Sequence, residues 1–394
     1  QRFMEEENPW KLEGSDFFMQ KKEEYMRWAL ELARKGEGHT SPNPMVGCVV
    51  VKDGRIISEG YHEKYGEFHA ERNALTRCTE DTTGADLYVT LEPCCHQGKT
   101  PPCTDIIIEK KIARVFVGSM DSNPLVAGKG VQILREHGIY VETGILEEEC
   151  LKLNEVFYHY ITTKTPFVVM KYAMTLDGKI ACATGDSKWV TGETARAQVH
   201  RMRGRYRGIM VGIGTVLADD PMLNVRVEGW KSPIRILCDS GLRIPLDGQI
   251  VKSAGKYRTI VAYADSENTE AKRKRLHEMG VETICCPDEN NQVDLKKLMR
   301  YLGEEGIDSI LLEGGGTLND SALRAGIVQE VQAFIAPKLF GGMNSKTPVE
   351  GIGVRFPSEA VKLKCTDICQ IGEDIRITCQ VCGKEQEESC LQES

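Results

Sequence analysis

The sequence predicts two successive α/β domains, and three observations carry that expectation. The chain has 394 residues, too many for one ordinary core, so two domains are expected. Between residues 46 and 143, short apolar runs alternate with helical periods, the pattern of helices layered on a sheet. After Thr162-Thr163-Lys164-Thr165-Pro166 the same alternation starts afresh.

In the first half, Met26, Ala29, Leu30, Leu32 and Ala33 share one face of a helix over 21–35, which Gly36 and Gly38 stop. Runs 46–51 and 55–58 flank Asp53-Gly54 and predict a β-hairpin. A helix follows from His69 to about Arg77, then a strand at 87–91, a helix at 104–110 and a strand at 113–117. A helix at 131–137 ends at Gly138, a strand occupies 140–143, and 147–158 is helical. In the second half, strands are expected at 167–173, 208–212, 234–238, 258–263, 309–312 and 330–336. Helices are expected near 193–203, 268–279, 293–303 and 317–325. The resulting division is an extension at 1–18 with Met19 as a natural start, domains at 19–164 and 165–383, and a polar tail at 384–394.

Composition narrows the function. A hydrophobic content of 41% and a charged content of 27% belong to a soluble globular protein. A net charge of -8 does not suit a chain that holds a nucleic-acid backbone. No apolar run is long enough to cross a bilayer, and 1–20 does not read as a signal peptide. The expectation is a cytoplasmic protein with neither nucleic acid nor membrane as partner. An odd count of 15 cysteines without a regular framework fits a reducing compartment, where most thiols are buried and inert.

A few cysteines stand apart. His69-Ala70-Glu71 sits at a predicted helix start. Glu92-Pro93-Cys94 follows a strand, and Cys103 lies at the next helix's first turn. One His and two Cys give Zn²⁺ three protein ligands and leave the fourth position for water, which the metal acidifies. Helix N-termini favour the thiolates that such ligation needs. Glu71, two residues past His69, can reach that water without ligating the metal, and can carry its proton to a departing amine. His-x-Glu followed by Pro-Cys is the signature of nucleobase deaminases, and their fold is therefore expected for the first domain. Two plainer readings exist: buried packing residues, or a structural zinc closed by Cys95 or His96. An RNA or nucleoside deaminase and a zinc-stabilised scaffold are the competing whole-protein readings.

The spacing is unusual, with eight residues between Cys94 and Cys103 where two are common. The stretch Glu92-Pro-Cys-Cys-His-Gln-Gly-Lys-Thr-Pro-Pro-Cys103 resembles the deaminase domain of the bifunctional riboflavin biosynthesis enzymes. So do Thr40-Ser-Pro-Asn-Pro-Met-Val-Gly47 and Asn123-Pro-Leu-Val-Ala-Gly128. The resemblance covers most of 21–160. It implies a cytidine-deaminase-like three-layer domain with one zinc per chain, held by His69, Cys94 and Cys103. It also implies a phosphorylated pyrimidine substrate, a diaminopyrimidinone carrying a ribosylamino 5′-phosphate. Asn43, His62, His96, Lys99 and Asn123 would contact it. The residue after the first cysteine ligand is commonly Ser in that family and is Cys95 here. Zinc is assigned to Cys94, which directly follows the proline.

The second half offers weaker local signals. Leu312-Glu313-Gly314-Gly315-Gly316-Thr317 closes a strand and opens a helix, where glycines let a phosphate approach backbone N–H groups. Val211-Gly-Ile-Gly-Thr215 is another glycine-bearing strand end, and neither is a dinucleotide fingerprint. Lys171-Tyr-Ala-Met-Thr-Leu-Asp-Gly-Lys179 resembles the reductase half of the same bifunctional enzymes. So do Gly185-Asp-Ser-Lys-Trp-Val-Thr191 and Gly214-Thr-Val-Leu-Ala-Asp-Asp-Pro-Met-Leu223. That resemblance implies a dihydrofolate-reductase-like α/β domain that reduces ribosyl to ribityl with NADPH. NADPH would lie on Ala173, Trp189, Thr215, Asp219, Gly315, Gly316, Thr317, Leu318, Asn319, Asp320 and Ser321. Ser187, Arg203, Leu223, Arg226 and Glu313 would hold the sugar phosphate. Relatives imply a homo-oligomer formed through this domain. Cys365, Cys369, Cys379 and Cys382 sit on or beside short alternating strands and read as ordinary strand residues rather than a second metal site.

Overall fold

In this computed structural model the chain divides into two compact units, Gln1–Thr163 and Lys164–Ser394. The structure describes residues 10–123, 126–264 and 269–383. The expected tail at 384–394, residues 1–9 of the expected extension, and Pro124-Leu125 of the third deaminase motif lie outside the described residues.

The first unit runs α1 (Trp10–Arg34), β1 (Gly47–Lys52), β2 (Arg55–Tyr61), α2 (Ala70–Arg77), β3 (Asp86–Leu91) and α3 (Cys103–Glu109). It continues with β4 (Arg114–Ser119), α4 (Lys129–Glu136), β5 (Tyr140–Thr143), α5 (Glu147–Leu153) and α6 (Glu155–Thr163). The strands form one sheet in the order β2-β1-β3-β4-β5. The β1 strand is antiparallel to β2 and β3, while β3, β4 and β5 are parallel. Alternate strand residues feed opposite faces, as the pleat requires. Cys48, Val50, Leu87, Val89, Val115 and Val117 pack with Ala74 and Leu75 of α2, Ile106 and Ile107 of α3, and Leu134 of α4. Val49, Val51, Tyr88 and Phe116 pack with Met26, Ala29 and Leu30 of α1. The result is the three-layer arrangement expected from the alternation.

Two differences from the expected elements have local causes. The first helix begins at Trp10, well before residue 21, because Lys11, Leu12 and Glu13 are good helix formers that extend it backwards. The helical stretch at 147–158 is two helices meeting at Asn154. There the buried Asn154 amide accepts from Met45 N at 2.8 Å and donates to Met45 O at 2.9 Å. Gly60 on β2 lets α2 lie close, since a Cβ there would meet Ala74 N at 2.5 Å. That close seat brings the start of α2 down to the sheet.

The second unit runs β6 (Phe167–Thr175), α7 (Glu193–Arg205), β7 (Gly208–Gly212), α8 (Ile213–Asp219), β8 (Ile234–Cys238), α9 (Gln249–Lys252), β9 (Thr259–Tyr263) and α10 (Glu270–Glu278). Then come β10 (Glu282–Cys285), α11 (Leu295–Glu304), β11 (Ser309–Leu312), α12 (Gly316–Arg324), β12 (Glu330–Ala336), β13 (Leu363–Ile371) and β14 (Asp374–Val381). The nine-stranded sheet has the order β10-β9-β8-β7-β11-β6-β12-β14-β13. Its strands are parallel from β10 to β12, and β14 and β13 close it antiparallel. One face packs Met170, Met210, Ile310 and Leu312 against α11 and α12. The other packs Ile209, Val211, Leu237 and Val261 against α9 and α10. The short elements α8, α9 and β10 had no separate sequence signal, being only 7, 4 and 4 residues long.

A buried cation braces the second unit. Arg235 on β8 is 1% exposed. Its guanidinium donates to Ile250 O at 2.8 Å, Tyr257 O and Met222 O at 3.2 Å, Ser253 Oγ at 2.8 Å and Thr259 Oγ1 at 2.7 Å. Burial nonetheless pulls its pKa down to about 10. Arg235→Met would remove a donor from three carbonyls and from Ser253 Oγ and Thr259 Oγ1. We expect it to lower the urea midpoint of unfolding by the equivalent of about 2–4 kcal/mol, with Arg235→Lys restoring only part, since an ammonium cannot fork to several loops.

Candidate active sites

In the first unit, three chain segments converge at the carboxyl end of β3. His69 caps the start of α2 in extended conformation. Cys94 follows β3, and Cys103 is the first residue of α3. The eight intervening residues close into a loop because Cys103 N and Thr104 N both donate to Cys94 O, at 3.0 and 3.2 Å. That closure brings the sulfurs together. His69 Nδ1 lies 3.4 Å from Cys94 Sγ and 3.6 Å from Cys103 Sγ. Among the described residues, His69, Cys94 and Cys103 form a group whose ligand atoms all lie within 4.8 Å of one another. Two sulfurs and one imidazole nitrogen suit Zn²⁺, and no fourth side chain joins the group.

The electrostatics agree with that use. Cys94 is pulled down toward thiolate by the hydrogen bond from Cys103 and by His69, against burial. Cys103 is pushed up as the proton-bearing partner of that hydrogen bond, and burial adds to it. Without metal, the pair therefore keeps a proton. Glu71, 3% exposed on the first turn of α2, is raised to about 7 by burial and the nearby Cys94. A carboxyl poised near neutrality suits proton transfer.

These groups border a cleft of ≈ 230 Å³ that is also lined by Asn43, His62, His96, Lys99 and Asn123. Every sequence-derived residue of this half lines it except Cys103, which lies 1% exposed beneath. His62 Nδ1 meets Phe68 O at 3.0 Å and its Nε2 meets the Asn43 amide at 3.3 Å. Burial lowers its pKa. A neutral ring with Nδ1–H donating leaves Nε2 to accept from Asn43 Nδ2, so the Asn43 carbonyl oxygen remains for a ligand. His96 Nδ1 is buried with no partner. Lys99 Nζ lies 3.9 Å over the ring of Tyr65. Tyr65, Phe157 and Asp121 also line it, and no local motif marks them. Asp121 is raised to about 6 by burial, against the hydrogen bond from Asn123 N.

The second unit has two adjoining clefts at the carboxyl ends of its parallel strands. One, of ≈ 540 Å³, is lined by Thr215, Asp219, Gly315, Gly316, Thr317, Leu318 and Ser321 from the expected cofactor set. The other, of ≈ 340 Å³, is lined by Ala173, Trp189, Asn319, Arg203, Arg226 and Glu313. Ser187, Gly315 and Gly316 border both. The Gly315 N–H donates to Thr215 Oγ1 at 3.1 Å, tying the two glycine-bearing strand ends together. Trp189 is 63% exposed, so it faces the cleft rather than packing in the core, and Arg196 lies 4.5 Å over its ring.

Two expected contacts are directed elsewhere. The side chain of Leu223 is 4% exposed in the core beside α8 and α9. Asp320 pairs with Arg324 at 2.8 Å, one turn further along α12. The side chains of Leu223 and Asp320 line neither cleft. Asp220 serves a structural end, its Oδ1 accepting from Gln249 N at 2.8 Å where α9 begins.

Glu313 is the centre of the smaller cleft. Arg203 grips it in a fork at 2.7 and 2.8 Å, and Lys171 Nζ lies 3.5 Å away. Burial would raise this carboxyl, but Arg203 and Lys171 outweigh it and hold it near 2. Lys171 is lowered by burial, though Glu313 opposes the shift. Sequence reasoning missed Lys171 as a site residue, although a lysine after the buried run Phe167–Met170 is the kind of signal that marks one.

Comparison with known proteins covers both units. The cytidine and deoxycytidylate deaminase zinc-binding region matches residues 19–119, and the RibD C-terminal domain matches 166–377. The riboflavin biosynthesis protein RibD of Actinobacillus pleuropneumoniae is 55% identical over 352 residues, covering 89% of this chain and 93% of the relative. Its counterpart in Bacillus amyloliquefaciens is 42% identical over 357 residues, covering 90% and 95%. A crystal structure of a diaminohydroxyphosphoribosylaminopyrimidine deaminase/5-amino-6-(5-phosphoribosylamino)uracil reductase from Thermotoga maritima superposes with a TM-score of 0.83. It is 40% identical, covering 93% of this chain and 100% of that one.

The geometry separates the two neighbouring cysteines. Cys94→Ser is expected to abolish zinc retention, whereas Cys95→Ser should keep about one equivalent by metal analysis. Loss of zinc in Cys95→Ser would reverse the assignment. Because the metal-free pair holds a proton that ligation must displace, zinc affinity should rise with pH. We expect about tenfold tighter binding per unit for each proton released, by chelator competition. A pH-independent affinity would contradict the protonated pair.

Proposed function

The chain belongs to the RibD family of bifunctional riboflavin biosynthesis enzymes, and from that premise we propose how its deaminase and reductase halves do their chemistry. The observation that carries the first half is the gathering of His69, Cys94 and Cys103 beside buried Glu71 on one cleft. We assign the diaminopyrimidinone ribosylamino 5′-phosphate as substrate, in keeping with the activity that the Thermotoga relative's name states.

His69, Cys94 and Cys103 would hold zinc, which would supply the acidity that makes water a nucleophile near neutral pH. Glu71 is the proton carrier. Water oxygen bonds to the ring carbon that bears the amine, the carbon–nitrogen bond breaks, and ammonia departs. Glu71 takes a proton from the water and delivers it to the leaving nitrogen. Neutral His62 orients Asn43, whose carbonyl oxygen can accept from a ring N–H or amine. Asn123 and His96 offer further polar contacts, and Lys99 brings a cation for the phosphate.

For the second half, NADPH, when bound, would supply a hydride for C1′ of the opened sugar, the balancing proton coming from solvent. The larger cleft has the volume of a cofactor site. It is bordered by the start of α12, whose N-terminal end favours an anion such as a pyrophosphate. Thr215, Asp219, Thr317, Leu318 and Ser321 line it, with Ala173, Trp189 and Asn319 on the adjoining cleft. Arg243 and Lys346 also line the larger cleft, and their charge favours the extra phosphate of NADPH over NADH. Glu313, kept ionised, is an acceptor for sugar hydroxyls. Ser187, Arg203 and Arg226 would meet the sugar and its phosphate. Arg203 contributes through the nitrogen that Glu313 leaves unused.

No helix among the described residues is long and apolar enough to cross a membrane. A cytoplasmic homo-oligomer acting on a small molecule completes the reading, and exposed Leu339, Met343, Ile352 and Phe356 on the second unit are compatible with self-association.

The test uses purified protein, zinc and the diaminopyrimidinone substrate, following ammonia and NADPH together. Ammonia should appear without NADPH, and NADPH should be consumed only after deamination. Glu71→Gln should retain zinc and lower deamination by at least about 100-fold, leaving reduction of the deaminated intermediate intact. Ammonia without any NADPH consumption would remove the reductase reading. Unchanged deamination in Glu71→Gln would remove the proton carrier.

A further inference from the structure

Glu92 lies between β3 and Cys94, is 3% exposed, and borders the first cleft. Its carboxylate accepts three backbone N–H groups, none of them from its own strand. Oε2 accepts from Gly128 N at 2.9 Å and Asp121 N at 3.3 Å, and Oε1 accepts from Val131 N at 3.2 Å. These donors flank the connection from β4 to α4 on both sides. Gly128 and Val131 are the cap and first-turn residues of α4, whose unpaired N–H groups favour an anion. Close approach reinforces the grip, because a Cβ on Gly130 would run into the carbonyl of Pro93.

Asn123 sits inside that grip. Its N–H donates to Asp121 Oδ1 at 2.7 Å, and its carbonyl accepts from Val126 N at 2.8 Å and Ala127 N at 3.0 Å. Its backbone is therefore fixed to residues that Glu92 holds directly or through one bond. Two residues along the chain from Glu92 is Cys94. One carboxylate thus ties the segment bearing Asn123 to the segment bearing a metal ligand.

We propose that Glu92 is a positioning residue of the deaminase site, setting Asn123 relative to Cys94. The inference rests on the reading of this cleft as the deaminase site with Asn123 as a substrate contact. Glu92 touches neither metal nor substrate in this role. It acts through the loop, so its removal should weaken substrate binding more than it slows the chemical step.

A double-mutant cycle tests this on the full-length zinc enzyme. Glu92→Gln, Asn123→Ala and the pair are compared for zinc content, deamination kcat and KM. NADPH oxidation on the deaminated intermediate serves as a control for folding. We expect Glu92→Gln to keep one zinc and to raise the deamination KM by about tenfold, with kcat changed by less than about threefold. In the Asn123→Ala background, Glu92→Gln should add little. Glu92→Asp keeps the charge and serves if Gln prevents folding. Its shorter reach should raise KM in the same Asn123-dependent way. Independent, additive effects on KM, or a loss of kcat or zinc with KM unmoved, would overturn the proposal. If Asn123→Ala itself leaves KM unchanged, its role as a substrate contact fails and the proposal falls with it. Ammonia release by the wild type would still stand, keeping that failure distinct from failure of the deaminase reading.

Discussion

The first site depends on a pair of backbone hydrogen bonds. Cys103 N and Thr104 N both reach back to the carbonyl of Cys94. They satisfy two of the donors that any helix start leaves open, and they close the loop between the two cysteines. In a two-residue spacing one turn of helix would bring both thiols to a metal. With eight residues between them, the loop must be pinched at its base. Once it is, the residues inside it are free to do other work, and His96, Gly98, Lys99 and Thr100 all line the cleft. The longer spacing turns a bare connection between two cysteines into a loop that also lines the cleft.

The same physics, burial of a carboxylate, is put to opposite uses in the two units. Glu71 and Glu313 are both withdrawn from water, which alone pushes a carboxyl up. Glu71 is raised by burial and by the Cys94 thiolate, against His69, to about 7. It becomes a group that can gain and lose a proton. Glu313 has Arg203 and Lys171 against it and falls to about 2. It becomes a fixed anion. The difference lies in the neighbours rather than in depth, and it matches a hydrolytic step that moves protons and a reductive step that needs a sugar held still. The buried trio of Glu313, Arg203 and Lys171 also carries one net positive charge, which suits a cleft meant for a phosphate ester.

Much of this was legible in the sequence, for identifiable reasons. Strand–helix alternation and glycine stops gave both α/β units, because buried parallel strands are short apolar runs with clear ends. The gathering of His69, Cys94 and Cys103 near Glu71 was legible because these residues fall within a few residues of strand ends and helix starts, where spacing constrains geometry. What could not be read depends on contacts far apart in the chain. Asp121 and Tyr65 reach the cleft through folding, not spacing. The inward burial of Leu223 reflects packing against α8 and α9, which a linear motif does not record. The pairing of Asp320 with Arg324 is a local helical contact four residues apart. It was readable as such, but the glycine turn beside it drew attention to a ligand. The β13–β14 hairpin was only hinted at, since its exposed edge mixes charged and apolar residues.

Both units place their chemistry at the carboxyl ends of parallel strands, but with different amounts of sheet. The first cleft lies at the ends of β3 and β4 and the start of α2, laid close by Gly60, with the loops bearing Asn43, His62 and Tyr65 around it. The reductase clefts draw on β6, β7, β8 and β11, which lie side by side in the larger sheet. The dinucleotide and sugar phosphate proposed for them are long, and several neighbouring strand ends would be needed to span them. The glycine turn after β11 sits between the two clefts because β11 is flanked by β7 and β6. Strand order therefore fixes where cofactor and substrate can meet, before any side chain is chosen.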